Sequence, residues 1–249
     1  MAVAGAEGTR KTGFALTFPP PVRLFIFDPG TEPTIYTMLK MGIIKEPPEF
    51  ETFLLPPDSN KTETSGGAGG VSDEGIREAK KLYRKFQTDF NNIIQGPDEG
   101  TIIFDTETQF WQLIRRAFVM DDATFSKGEA GKIYLMRTSY AKPNQMYEGI
   151  IDQVAFGKKK TNLVFLSRVK AKYNAQGQET DLMVPDRQGR LGYLADVDLF
   201  FEKEMVKQSN GKWKPKYTAE VRKSKWDDSM LYTLFENPTY ELVKDFLLP

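Results

Sequence analysis

The chain has 249 residues, 34 Lys+Arg balanced by 34 Asp+Glu, and 40% hydrophobic residues, enough to bury a large core without metal or disulfide staples. It has no cysteine and no histidine, which excludes disulfides, thiolate nucleophiles, cysteine zinc sites, histidine triads and imidazole proton shuttles. The chemistry that remains runs on carboxylates, Lys/Arg, hydroxyls, backbone N–H groups or an oxygen-ligated cation. With no net charge, any binding to a phosphate backbone must come from a local basic surface or from repetition in an oligomer.

The chain opens on a short apolar run, AVA, followed by GAEGTRKT at 5–12 and a helix predicted over 11–17. Arg10 and Lys11 before GFALTF imitate a signal peptide, but six apolar-leaning residues fall short of an h-region and prolines follow in FPPPV. No apolar run approaches the ~18 residues a membrane helix needs. The expectation is a soluble, cytoplasmic protein. VRLFIFD (22–28), TIIFDT (101–106) and NLVFLS (162–167) are almost continuously apolar, which predicts parallel strands covered on both faces. DVDLFFEKE (196–204) is a fourth strand, and 212–226 predicts one or two more. The Gly/Ser/Thr-rich segment 56–75 predicts a flexible loop, and GPDEG at 96–100 a turn. Helices are predicted over 76–95, 107–119 and 144–157. In the first of these Ala79, Leu82, Phe86, Phe90 and Ile93 recur at helical spacing, with Ser72 or Asp73 as cap. Alternating helices and strands give an α/β class with right-handed crossovers.

Three motifs carry chemistry. A phosphate-binding loop reads G-x-x-x-x-G-K-[ST], between a strand and a helix, so that backbone N–H groups surround phosphate oxygens while Lys and a hydroxyl reach phosphate and metal. Gly5, Gly8, Thr9, Lys11 and Thr12 follow this pattern, but Arg10 stands at the second motif glycine. A Gly-rich tail with a chance Lys-Thr reads the same way. Asp105 ends an apolar strand, the place of a carboxylate that holds Mg²⁺ through water, and equally of a helix cap. FIFDPGTEP puts Asp28 and Glu32 at the end of another strand. Glu32 is the first candidate to orient an attacking water, with Glu107 as its rival; Asp-Pro-Gly-Thr is also a good turn.

GAEGTRKTGFALTFP, FIFDPGTEP, KLYRKFQTDFNNII, TIIFDTETQFWQLIRRA, NLVFLSRVKAKY, GYLADVDLFFE and YTAEVRKSKW, in this order, cover roughly 5–240. In these segments the chain resembles the RecA-type P-loop (AAA-like) ATPases of bacteriophages, related to single-strand-annealing and recombinase-like proteins. The resemblance implies one RecA-like P-loop NTPase domain over 1–249. Its core would be a mostly parallel central sheet flanked by helices, with a C-terminal β-hairpin. It implies ATP and Mg²⁺, a homo-oligomer forming a ring or filament, and action on single-stranded DNA in recombination, annealing or replication. A degenerate non-hydrolysing scaffold and a helicase or helicase-loader ATPase are the alternatives. It further implies that Ser167 senses the γ-phosphate, with Arg168 beside it, and that Lys223 and Lys225 reach a neighbouring subunit's ATP from one face of a strand. Two basic, tyrosine-bearing stretches, 125–147 and 168–190, supply candidate DNA contacts, among them Lys142, Lys170, Lys172 and Tyr173.

Overall fold

The computed structural model describes residues 1–56, 73–96, 100–118, 126–127, 133–134 and 140–246. Its elements begin with β1 (Ala2–Gly5), α1 (Lys11–Ala15), β2 (Val22–Ile26), α2 (Thr31–Lys40), β3 (Glu49–Thr52), α3 (Asp73–Gln95), β4 (Thr101–Asp105) and α4 (Glu107–Phe118). Then come β5 (Ser126–Lys127), β6 (Ile133–Tyr134), α5 (Ala141–Ala155), β7 (Asn162–Tyr173), β8 (Glu179–Asp186), α6 (Leu191–Leu194), β9 (Val197–Lys207), β10 (Trp213–Ser224), β11 (Leu234–Glu236) and α7 (Tyr240–Val243). They fall into two compact units, one of residues 1–52, 100–108 and 162–249, the other of 53–99 and 109–161.

The first unit is built on one sheet in the order β11-β10-β9-β1-β7-β4-β2-β3, with β8 paired to β7. From β9 to β3 every neighbour is parallel, while β10, β11 and β8 join antiparallel. This is the α/β class with a mostly parallel sheet and a C-terminal hairpin. The continuous apolar runs explain it, because the strands are buried on both faces. On one face Val3, Leu24, Ile26, Ile103, Val164, Leu166, Leu199 and Phe201 pack with Phe14, Leu16, Phe18, Ile35 and Met38. On the other, Phe25, Phe104 and Phe165 run across β2, β4 and β7 with ring centroids 5.4 and 4.8 Å apart.

Three differences from the sequence expectation have local causes. Segment 31–40 is a helix although Pro33 sits in it, because a proline in the first turn removes no helical donor. The stretch after Ser167 is not a loop. β7 continues to Tyr173 with Val169 and Ala171 half-buried between exposed Arg168, Lys170 and Lys172, and β8 folds back on it. Segment 212–226 is one strand, and Pro215 is tolerated because it pairs only with Met205, beyond the reach of β11.

In the second unit α3 buries Ile76, Ala79, Tyr83, Phe86 and Phe90 at helical spacing, with Leu82 and Ile93 half-buried. Phe86 meets Phe110 at 4.8 Å and Phe53 edge-on at 5.7 Å, and Phe110 continues to Tyr147 at 5.9 Å. α3 starts at Asp73; Ser72, most of the loop predicted over 56–75 and the centre of GPDEG lie outside the described residues. Among the described residues no helix is long and apolar enough to cross a membrane.

Candidate nucleotide site

Parallel strands leave their carboxyl ends on one edge of a sheet, where open α/β folds place ligands. Here Gly5, Ile26, Asp105 and Phe201 end or approach that edge on β1, β2, β4 and β9, and Ser167 lies there on β7. Gly5 admits no side chain, since a Cβ there would lie 2.5 Å from the Phe201 carbonyl oxygen. The chain then curls through Gly8 at φ 72° and Arg10 at φ 68°, ψ 23°. Arg10 therefore holds the left-handed conformation for which the motif employs glycine. Its side chain does not fill the loop; the guanidinium lies 4.1 Å from the centroid of Tyr217.

Lys11 is 9% exposed, and its Nζ donates to the carbonyls of Gly5 at 2.7 Å and Ala6 at 2.8 Å. It also lies 3.5 Å from Thr9 Oγ1, whose hydroxyl donates to Ala6. Burial pushes the Lys11 ammonium down to about 8, against the opposing pull of Asp105. Thr12 Oγ1 donates to Asp105 Oδ2 at 2.7 Å, and Thr31 Oγ1 donates to the same oxygen at 3.0 Å. Burial pushes the Asp105 carboxyl up while the two hydroxyls hold it down, with burial the stronger. Lys11, Thr12 and Asp105, separated by nearly a hundred positions, thus meet across one intervening strand, β7.

The remaining carboxylates are arranged differently. Glu107 is fully buried: Ser167 Oγ donates to its Oε2 at 3.3 Å and the Gln188 N–H to its Oε1 at 3.0 Å. Glu32, in the first turn of α2, accepts from the Thr52 hydroxyl at 3.3 Å. Asp28, two residues past β2, accepts from the Gly30 N–H at 3.0 Å and forms an ion pair with Arg168. Burial raises the Asp28 carboxyl, but Arg168 and the Gly30 N–H outweigh it and leave it below the usual range. Sequence reasoning passed over Thr31, Gln188 and the Asp28–Arg168 pair. The DPGT phrase pointed to Asp28 as a turn residue, and nothing local signalled the other two.

Lys223 and Lys225 stand elsewhere. Lys223 pairs in register with Asp198 near the start of β9, at the end of the sheet away from the phosphate loop. Its Nζ donates to the carbonyls of Gly192, Tyr193 and Ala195 at 3.1, 2.6 and 2.5 Å. Lys225 donates to Asp196 at 3.0 Å. The register shifts between Val221 and Lys223 and the strand ends at Ser224, so the two lysines do not alternate along one regular strand face as expected. Of the candidate DNA contacts, Lys170 pairs with Asp186 at 2.6 Å and the Tyr173 hydroxyl donates to Glu179 at 2.8 Å, while Lys172 is exposed. Lys142 lies half-buried on α5 in the second unit. The side chains of Lys127, Lys132, Tyr134 and Arg137 lie outside the described residues.

No family model matches the sequence, and no curated protein matches it. Solved structures with a similar chain course include an ATPase domain solved on its own, at 10% identity and TM-score 0.42, over 94% of this chain and 78% of that one. A DnaB-like replicative helicase, solved with its interactions with primase, matches at 10% identity and TM-score 0.42 over 94% and 53%. An ATPase from the type III secretion system of pathogenic bacteria matches at 10% identity and TM-score 0.39 over 80% and 49%. At these values the likenesses carry no functional weight, and this chain spans about half the length of the latter two.

Proposed function

We propose that this chain is a RecA-like P-loop ATPase that binds MgATP and couples its hydrolysis to work on single-stranded DNA, in replication or recombination, as a homo-oligomer. The observation that carries the reading is the meeting of a buried lysine folded over a glycine loop with a threonine–aspartate pair from a distant strand. The donor set fits the ligands. Thr12, Thr31 and Asp105 offer hard oxygens to Mg²⁺, and the loop N–H groups and Lys11 offer donors to phosphate. Bound there, Mg²⁺ would neutralise charge on the β- and γ-phosphates.

Lys11 exchanges the Gly5 and Ala6 carbonyls for phosphate oxygens, a trade favoured because its ammonium is already desolvated. Thr12 holds the metal directly and Asp105 through water, with Thr31 fixing the orientation of the shared carboxylate oxygen. For orienting the attacking water we favour Asp28 over Glu32 and Glu107. It stands beside Asp105 at the end of the adjacent strand, whereas both Glu107 oxygens already accept hydrogen bonds inside the protein. Ser167 and Arg168, on β7 between the two motif strands, couple this edge to the exposed β7–β8 hairpin. Lys223 and Lys225 act, if on ATP at all, on a neighbour's site.

Phosphate release measured against oligo-dT concentration tests the reading. Turnover that rises with oligo-dT supports it; nucleotide bound tightly but never hydrolysed favours the scaffold alternative.

A further inference from the structure

The β9–β10 hairpin runs on past the sheet core beyond Phe201, and its two faces differ in chemistry. Cross-strand pairing sets Lys203 opposite Tyr217, Met205 opposite Pro215 and Lys207 opposite Trp213. Because side chains alternate, these six residues share the face that carries Phe201 and Ala219 in the core. The acids Glu202 and Glu204 fall on the other face, where Lys216 pairs with Glu236. One face is therefore cationic and apolar without a carboxylate; the other is mixed.

That face continues the nucleotide site. The Lys203 ammonium comes within 4.0 Å of where a Cβ on Gly8 would sit, and Tyr217 carries the Arg10 guanidinium. From there the strip extends roughly 13 Å along β9 to Lys207, at about 3.3 Å per residue. It ends at Trp213, 62% exposed, with Met205 at 47% beside it. Lys212 extends the positive charge into the turn, which Gly211 closes at φ 78°. Among the described residues none of Lys203, Lys207 and Lys212 pairs with a carboxylate. The β7–β8 hairpin is the reverse case, since Lys170 and Tyr173 are already engaged by Asp186 and Glu179.

Unpaired ammonium groups in a row, with an exposed indole between them, match a strand of phosphates with unstacked bases. A duplex hides its bases from such a ring, and a peptide partner would gain little from a row of cations with no acidic counterpart. We propose that the Lys203–Lys207–Trp213 face of this hairpin binds single-stranded nucleic acid, with the lysines on phosphates and Trp213 stacked on a base. Lys203 then places the strand at the rim of the phosphate loop. The inference rests on the reading of the chain as an ATPase acting on single strands, and it adds the surface that makes the contact.

The test uses the full chain and fluorescein-labelled oligo-dT, with anisotropy followed over a range of KCl. Each phosphate contact on a single strand contributes about 0.7 to the slope of log K against log salt, so Lys203→Ala with Lys207→Ala should flatten it by about 1.4. Lys214→Ala with Lys216→Ala removes the same charge from the opposite face and should leave the slope near that of the wild type. Trp213→Ala should lower affinity about tenfold or more at every salt concentration, whereas Trp213→Phe keeps a stacking ring and most of the affinity. Quenching of tryptophan fluorescence by oligo-dT should weaken in Trp213→Phe. Wild-type binding in both Trp213→Ala and the Lys203/Lys207 double variant overturns the hairpin surface alone. Failure of the wild type to bind oligo-dT overturns this inference together with the single-strand reading. Binding of anionic vesicles, or a dimer lost in Trp213→Ala, with oligo-dT affinity unchanged, also overturns it.

Discussion

The conformation of Arg10 makes a quantitative test of the phosphate loop possible without any nucleotide. At φ 68° an L-residue with a Cβ costs about 1–2 kcal/mol, and glycine escapes that cost. Glycine in turn loses more backbone entropy on folding, about 0.5–1 kcal/mol. The difference leaves glycine ahead of alanine at this position by about 0.5–1 kcal/mol, the opposite of their order inside a helix. Both substitutions remove the Arg10–Tyr217 contact, about 0.5–1 kcal/mol for a cation over a ring at a partly exposed site. Arg10→Ala should therefore destabilise the protein by about that contact energy, and Arg10→Gly should be close to neutral. Urea unfolding of the two variants, with the same pair repeated in Tyr217→Leu, separates the terms. In the Leu background the cost of Arg10→Ala should shrink while the Gly-over-Ala difference persists. Arg10→Gly less stable than Arg10→Ala would refute the left-handed loop. If the side chain indeed stands over Tyr217 rather than in the cradle, Arg10→Gly should also leave ATP affinity within a few-fold of the wild type.

Other outcomes follow from the same contacts. Lys11→Ala should abolish tight binding of a fluorescent ATP analogue, while Asp105→Asn should spare binding more than phosphate release, because it keeps an acceptor for Thr12 and Thr31 but weakens the hold on the metal. The depressed Lys11 ammonium predicts a pH effect on the nucleotide-free protein. Between about 8 and the ordinary 10.5 the unfolded chain binds more protons than the folded one, so stability should rise with pH over that window and the rise should vanish in Lys11→Met. Lys223→Ala should cost about 1 kcal/mol in urea unfolding through the carbonyls it leaves at the end of α6. If Lys223 and Lys225 also serve a neighbour, the double alanine variant mixed with Lys11→Ala should regain partial turnover; co-assembly without any rescue would leave Lys223 with its structural role alone.

The parts legible in the sequence were those that local pattern determines. The apolar runs at 22–28, 101–106 and 162–167 became buried parallel strands because a strand covered on both faces has no room for alternation. The spacing of Gly5, Lys11 and Thr12 placed the loop, and Asp105 at a strand end placed its partner. Illegible were the features set by direction rather than pattern. Thr31 reaches Asp105 only because α2 begins where it does, and Pro33 obscured that start. The Asp28–Arg168 pair joins positions 140 apart, and no local signal can announce such a partner. Glu107 looked like a free carboxylate one helix turn from the metal site, yet Ser167 and the Gln188 N–H both donate to it.

The lysines show why residue type alone could not assign roles in this chain. A parallel sheet has two unlike edges. At the carboxyl edge strands turn into helix starts, N–H groups point outward, and an anion is the natural guest. Lys11 and Lys203 lie at that edge, with Lys203 beside the loop and no carboxylate among its ion pairs in the described residues. At the amino edge the same side chain meets carbonyls that a short helix leaves unpaired, and Lys223 there satisfies three of them. Both ends of the β9–β10 pair are rich in Lys, so composition cannot rank them; the direction of β9, fixed by its parallel pairing with β1, does. That direction carries Lys203 and Lys207 toward the phosphate loop and Lys223 away from it. Within one protomer, then, the cations able to face a phosphate are those on the outer half of the hairpin, and the Lys223–Lys225 segment can meet ATP only across a subunit boundary.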